Sequence, residues 1–111
     1  MKIQIPLDFE QLNIMNRLLS PVYEIKSETR AQKINISILR DLSDKFQIKY
    51  YSKKKDRDLL NSRKKFKMSL KFHEAESLRT FLAMCLDTLI FTTLERSKVS
   101  RLHNYIDQKT I

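Results

Sequence analysis

The segment from Phe81 to Phe91, extended by Leu94, is the most apolar stretch of this 111-residue chain and constrains its fold more than any other feature. Wound as an α-helix, it presents apolar side chains on nearly every side, and such a helix must be covered by other elements. A membrane span needs about 20 apolar residues, whereas this run is shorter and contains Asp87. We therefore expect a buried core helix here and no membrane segment.

The first half of the chain has the patterns of one strand and two helices. Residues 2–7 alternate, with isoleucine and leucine on one face, which is typical of a half-buried strand. Asp8 and Gln11 then have the spacing of a capping box, which predicts the start of a helix. A longer apolar stripe predicts a second helix of about 20 residues that runs toward Tyr50. Its members are Ala31, Ile34, Ile38, Leu42 and Phe46.

The second half predicts another strand before the core helix. Residues 65–72 alternate strictly, and this period of two indicates one apolar and one cationic face. Glu74 and Glu76 follow at a place where the helix macrodipole favours acids, so we expect the core helix to begin there. A weaker stripe from Val99 to Ile106 predicts a final helix or a continuation of the core helix. The apolar face holds Phe66, Met68, Leu70 and Phe72, and the other face holds Lys65, Lys67, Ser69 and Lys71.

These elements predict an α+β fold in the order β-α-α-β-α(-α), a single domain over residues 1–111 in which a small two-stranded antiparallel sheet packs on helices. The two strand–helix units resemble each other, with Lys2 to Asp8 matching Lys67 to His73. We expect a pseudo-twofold axis between the units, which would pair the strands antiparallel. Because a two-stranded sheet is marginal in isolation, a homodimer through a strand edge is a further expectation.

The absence of glycine excludes several classes of active site. Phosphate-binding loops and nucleophile elbows depend on glycine for positive φ angles or close backbone approach. Cys85, the single cysteine, lies in the apolar stretch and is expected to be a buried side chain, not a nucleophile or ligand. His73 and His103 lack the spacing of a zinc site. We therefore predict a protein that is not an enzyme and uses no cofactor or metal.

Positive charge is concentrated in one sector, residues 45–71. This sector holds eleven lysines and arginines against two acids, so it accounts for the whole formal net charge of +9. A solvated surface normally mixes both signs, whereas clustered cations are typical of a surface that binds phosphates and releases their counterions. We also expect residues 52–64, which lack periodicity, to form a mobile basic loop.

We predict that this sector binds nucleic acid, DNA or RNA, with little or no sequence specificity. Tyrosine rings among the cations could stack on bases. The predicted contact residues are Lys49, Tyr50, Tyr51, Lys53, Lys54, Lys55, Arg57, Arg63, Lys64, Lys65, Lys67 and Lys71.

Two alternatives stay open for the same residues. One is an interaction, assembly or inhibitor module of the phage or mobile-element type that docks on an acidic protein surface. The other is a purely solvating role, because lysines also protect edge strands from pairing.

The start of the chain lacks the apolar run of a signal peptide, so we expect a cytoplasmic protein. Its abundance of Lys, Ile and Asn is associated with bacterial and phage genomes rich in A and T.

The beginning of the chain also resembles a known family. An alternating strand followed by two helices, with Lys26-Ser27-Glu28-Thr29-Arg30 ahead of the second helix, resembles a ribbon-helix-helix DNA-binding module over residues 1–45. The chain departs from that module in its long connection from Ser20 to Thr29 and in the second strand–helix unit that follows. No site residue is therefore transferred from the family.

Overall fold

A computed structural model describes residues 2–24, 29–55, 65–89 and 91–110 of the chain. The predicted α+β class and two-stranded antiparallel sheet are confirmed, in the order β-α-α-β-α-α. A 3₁₀ turn, Ser20–Glu24, follows the first helix. The elements are β1 (Lys2–Asp8), α1 (Phe9–Leu19), α2 (Arg30–Lys55), β2 (Lys65–Lys71), α3 (Phe72–Thr88) and α4 (Thr93–Lys109).

The sheet has one buried and one exposed face, because successive side chains of a strand point to opposite sides. β1 and β2 pair antiparallel along their whole length. Phe72, which the alternation placed on the buried face, is instead 45% exposed. It is the first residue of α3, so its side chain no longer follows the period of the strand. The buried face consists of Ile3, Ile5, Leu7, Met68 and Leu70.

Each half of the molecule consists of a strand, an outgoing helix that leaves the sheet, and a returning helix. α1 begins directly after β1, and α3 directly after β2. α4 runs back along α1, since Glu95 contacts Arg17 near the far end of α1 whereas Tyr105 contacts Gln4 in β1. In the same way, the N-terminal half of α2 lies beside α3 and its C-terminal half lies beside β2, and each pair of elements lines a groove. The returning helix of each half therefore packs along the outgoing helix of the other half.

The two halves are related by a pseudo-twofold axis through the sheet. Ile5 lies opposite Met68, and each is the fourth residue of its seven-residue strand, as a twofold between antiparallel strands requires. Gln11 and Glu74 are the third residues of α1 and α3. Both are buried polar residues whose side chains accept a hydrogen bond from the backbone N–H three positions earlier.

The internal repeat differs from its prediction in the residues that it matches. The sequence pattern paired Lys2 with Lys67, whereas the structure makes Lys65 the equivalent of Lys2, since each is the first residue of its strand. The error arose because an alternating pattern is unchanged by a shift of two residues. Each repeat is also longer than predicted, because it includes the returning helix and is a β-α-α unit.

The predicted core helix, α3, is shorter and more open than expected. It ends at Thr88 instead of near Phe91, and the final apolar stripe forms a separate helix, α4. The inner face of α3 is buried, whereas Met84, Leu89 and Leu94 are 55%, 44% and 61% exposed. The expectation that every side of this segment is covered was therefore wrong. An apolar composition does not by itself show which sides a neighbouring helix covers.

α2 also differs from its prediction at both ends. It continues to Lys55, so the first part of the predicted loop at 52–64 is helical, and residues 56–64 lie outside the described residues. Near its start, Ile34 is 57% exposed although the apolar stripe included it, whereas Leu42 and Phe46 are buried. In the ranges that the structure describes, no helix has the length and apolarity to cross a membrane.

Candidate nucleic-acid interface

The exposed face of the sheet brings together lysines from distant parts of the chain. Strand alternation turns the side chains of both strands outward at every second position. Lys2 lies opposite Lys71 in the register, and Gln4 lies opposite Ser69. Ammonium groups and hydrogen-bonding side chains therefore share one surface. The exposed residues of this outer face are Lys2, Gln4, Lys67, Ser69 and Lys71.

The acidic residue next to the outer face is already bound within the fold. Asp8 ends β1, and its carboxylate accepts a hydrogen bond from Lys98 Nζ at 2.5 Å and another from the Gln11 N–H in α1 at 2.7 Å. Among the residues that the structure describes, no carboxylate lies within salt-bridge distance of the three lysines on the outer face. The outer face therefore presents positive charge that no described acid neutralises.

The C-terminal half of α2 flanks the free edge of β2. The two elements enclose a groove of about 320 Å³ whose floor is partly apolar. Lys49 is half-buried at this groove and has no acid within salt-bridge distance in the described ranges. The ammonium group of Lys49 therefore lies beside the outer face and is available to bind an anionic partner. The groove is lined by Lys45, Ile48, Lys49, Ser52, Met68 and Ser69.

Lys45, although it lies in the basic sector, serves the fold. Its ammonium donates to Glu74 Oε1 at 2.8 Å, and the Lys71 N–H donates to the same oxygen at 2.9 Å. Burial of Glu74 disfavours its ionised form, but these hydrogen bonds and the charge of Lys45 outweigh burial and lower the pKa of the carboxyl below its ordinary value. Glu74 therefore stays ionised and holds Lys45 against α3.

The two tyrosines predicted to stack on bases differ in accessibility. The Tyr50 ring stacks on Phe9, with the ring centres 5.5 Å apart and the planes 24° from parallel, so one of its faces is occupied. Tyr51 is 52% exposed and meets Tyr50 edge to face at 5.5 Å. Tyr51 thus offers the more open ring of the two.

α4 adds a lysine that sequence reasoning missed. Tyr105 Oη donates to the Gln4 C=O at the free edge of β1, at 3.3 Å, and Lys109 Nζ lies 5.6 Å from the centre of the Tyr105 ring. Lys2 was missed as well, although its place in the first strand could have shown that it shares the outer face. No local signal points to Lys109, because its position depends on a contact between residues 101 apart in the chain.

The remaining predicted contact residues fall at the end of α2, in the connection that follows, and at the start of β2. The structure does not test their role, and they stay predictions. The backbone of Lys53, Lys54, Lys55 and Lys65 is described without their side chains, and Arg57, Arg63 and Lys64 lie outside the described residues.

The exposed outer face of the sheet consists of cationic and hydrogen-bonding side chains. Burial raises the pKa of the Cys85 thiol, which disfavours the reactive thiolate. In the parts of the chain that the structure describes, no group of three or more His, Cys, Asp or Glu side chains could hold a metal ion.

Comparison with known protein families, with curated proteins and with solved structures finds no match to this chain.

Proposed function

We propose that the protein binds double-stranded DNA through the outer face of its two-stranded sheet. The supporting observation is that lysines of β1 and β2 are exposed together on this face, while the neighbouring acid, Asp8, is bound to Lys98. Clustered ammonium groups displace condensed counterions from a phosphate backbone, and this favourable term needs no base-specific geometry. We therefore expect binding with little or weak sequence specificity.

The shape of the surface favours duplex DNA over duplex RNA. The major groove of B-DNA is about 12 Å wide and admits a two-stranded β-ribbon. The major groove of A-form RNA is deep and too narrow for side chains to reach the bases. Gln4 and Ser69 lie opposite each other on the ribbon and have side chains that can hydrogen-bond base edges. They would supply any sequence preference.

The test removes charge only from the outer face of the two-stranded sheet. The double variant Lys67→Gln and Lys71→Gln eliminates two ammonium groups on the outer face. Arg30→Gln with Lys33→Gln removes two exposed charges from the start of α2, the end of that helix remote from the sheet, and is the matched control. Fluorescence anisotropy would measure binding to a labelled duplex of roughly 20 base pairs, about two helical turns.

The wild type should lose affinity along a straight log–log line as salt rises from about 50 to 200 mM. The ribbon variant should have a slope smaller by up to about two units, and the control should keep the wild-type slope. An unchanged slope in the ribbon variant would contradict the proposal, as would equal losses in both variants.

The same titrations address the alternative partner. If polyglutamate binds more tightly than the duplex at equal charge concentration, an acidic protein surface is the better partner class and the DNA proposal fails. A cytoplasmic location, a bacterial or phage source and a homodimer stay predictions from the sequence.

A further inference from the structure

We infer that Lys49 and Lys109 contact phosphates on the two DNA backbones that border the groove occupied by the sheet, an inference that rests on the proposed function. Lys49 belongs to α2, the returning helix of the first half, and Lys109 belongs to α4, the returning helix of the second half. α4 contacts β1, and Lys49 of α2 lines a groove with Ser69 of β2, so the two lysines lie near opposite edges of the sheet.

A line of neighbouring residues crosses the sheet between these two lysines. At its centre, Gln4 and Ser69 are partners in the strand register. On the β1 side, Tyr105 Oη donates to the Gln4 C=O at 3.3 Å, and Lys109 Nζ lies 5.6 Å from the centre of the Tyr105 ring. On the β2 side, Ser69 and Lys49 line the same groove. Each lysine thus lies beyond one free edge of the ribbon.

The dimensions suit contacts on both sides of a major groove. Adjacent strands lie about 4.8 Å apart, and a helix with its side chains is about 10 Å in diameter. A sheet with a helix on each edge is therefore wider than a groove of about 12 Å. A ribbon that lies along the groove directs its edges toward the two backbones. Cations beyond those edges meet phosphates in addition to those that the lysines of the outer face neutralise.

The fold holds both lysines near their positions before DNA binds. Lys49 is half-buried against the groove that Ile48 and Met68 help to line. The ammonium of Lys109 lies over the face of the Tyr105 ring, an attractive cation–π arrangement. A long side chain that is ordered in advance loses less entropy on binding. Each contact should therefore contribute measurably to affinity.

Salt titrations of Lys49→Gln, Lys109→Gln and the double variant test these contacts on the same duplex. Each single change should reduce the log–log slope by about one unit and the double variant by about two. One unit corresponds to about a fourfold smaller loss of affinity between about 50 and 200 mM salt. Lys33→Gln, exposed at the remote start of α2, is the matched control and should keep the slope. An unchanged slope in either lysine variant, at wild-type melting temperature, would overturn the inference.

A duplex with one ordinary strand and one uncharged methylphosphonate strand tests whether the lysines serve different backbones. The protein can turn about its pseudo-twofold axis and present either lysine to the charged strand. On this duplex each single variant should keep the wild-type slope, and the double variant should lose about one unit. If each single variant also loses slope there, both lysines contact the same strand and the two-backbone arrangement is wrong.

These outcomes distinguish the phosphate contacts from DNA binding itself. A reduced slope in the Lys67 and Lys71 variant, with no change for Lys49 and Lys109, would support DNA binding by the outer face and refute the flanking contacts. A wild type that binds no duplex would contradict both.

Discussion

The starts of α1 and α3 occupy equivalent places in the two halves, yet different residues form them. At α1 the N-cap residue is Asp8, whose carboxylate binds Lys98 of the returning helix α4. At α3 the N-cap residue is Lys71, and the carboxylate lies three residues later, at Glu74, which binds Lys45 of the returning helix α2. Both halves thus join a returning helix to an outgoing helix through one lysine and one acid.

The two helix starts show that a cap and an ion pair can be kept while the residues that supply them change. Each helix start needs acceptors for backbone N–H groups that have no partner within the helix. In the second half, Glu74 accepts the Lys71 N–H from a buried position and also binds the lysine of α2. The N-cap position, which faces outward, is then available for a cation. On the proposed DNA-binding face, this exchange replaces an acid by a lysine.

The far ends of the helices differ as well. Arg17 near the end of α1 pairs with Glu95 near the start of α4. The far parts of α2 and α3 instead leave a groove of about 350 Å³, lined by Leu39, Phe81 and Met84 among others. The far end of α1 is therefore joined to α4 by an ion pair, whereas a groove separates parts of α2 and α3.

Leu7→Ala and Leu70→Ala should have the largest effects, because these leucines are equivalent core residues of β1 and β2. They are 1% and 0% exposed, so each truncation should cost about 2–5 kcal/mol through lost burial and a cavity. Urea unfolding followed by circular dichroism should give similar losses for the two variants. If one variant keeps wild-type stability, the two strands do not share the core equally and the halves are not equivalent.

Glu74→Gln gives α3 the same third residue as α1. It removes the charge of the ion pair while it keeps a hydrogen-bond acceptor, so it tests the ion pair alone. Glutamine keeps an oxygen for the Lys71 N–H but leaves Lys45 without a charged partner, so we expect a loss of about 1–3 kcal/mol at neutral pH. The side chain of Lys45 is 40% exposed, which should keep the loss below the roughly 3–5 kcal/mol of a fully buried pair. Urea unfolding measures the difference.

The same variant should show a defined pH dependence. Because folding lowers the pKa of Glu74, its stabilisation is present above the ordinary value of 4.5 and is lost as the pH falls through the lower folded value. The stability difference between the wild type and Glu74→Gln should therefore shrink below pH 4.5. Gln11→Ala, at the equivalent position of α1, removes no charge and is the control. A difference that does not change with pH would show that the carboxylate contributes no charge-dependent stability.

Adding Lys71→Asp to Glu74→Gln transfers the acidic cap of α1 onto α3. A carboxylate at the N-cap accepts hydrogen bonds from the first-turn N–H groups and is worth about 1 kcal/mol. The double variant should therefore recover about that much of the stability that Glu74→Gln loses, in the same urea assay. If nothing is recovered, the two helix starts are not interchangeable and the surroundings of α3 require the acid at its third position.

The order of the elements could be predicted because strand alternation and helix capping are local. The capping box of Asp8 and Gln11 forms as expected, and the alternation of residues 65–71 determines which lysines face outward. The end of α3 could not be predicted in this way. Apolar residues continue through Phe91, and only contacts with distant segments decide which of them are covered.

The candidate interface was predictable only where it follows from a strand. Lys67 and Lys71 lie on the outer face because of their parity in β2, and Lys2 because of its parity in β1, whereas Lys109 joins them through a contact between distant segments. Conversely, Lys45 belongs to the basic sector but is bound to a buried acid. The net charge of a segment counts every lysine alike, so it does not separate those that stabilise the fold from those that remain available to a partner.

The smallest expected effect concerns Leu89, which follows the end of α3 and is 44% exposed. Leu89→Asp should lower the free energy of unfolding by no more than about 1 kcal/mol, because the position is exposed and an acid at a helix C-terminus is disfavoured by only about 0.3–1 kcal/mol. Leu82→Asp is the matched control, because it places an unpaired charge at a fully buried position of the same helix and should unfold the protein. Thermal melting followed by circular dichroism separates the two outcomes. If Leu89→Asp also unfolds the protein, the end of α3 is covered, contrary to the exposure of Leu89 in the structure.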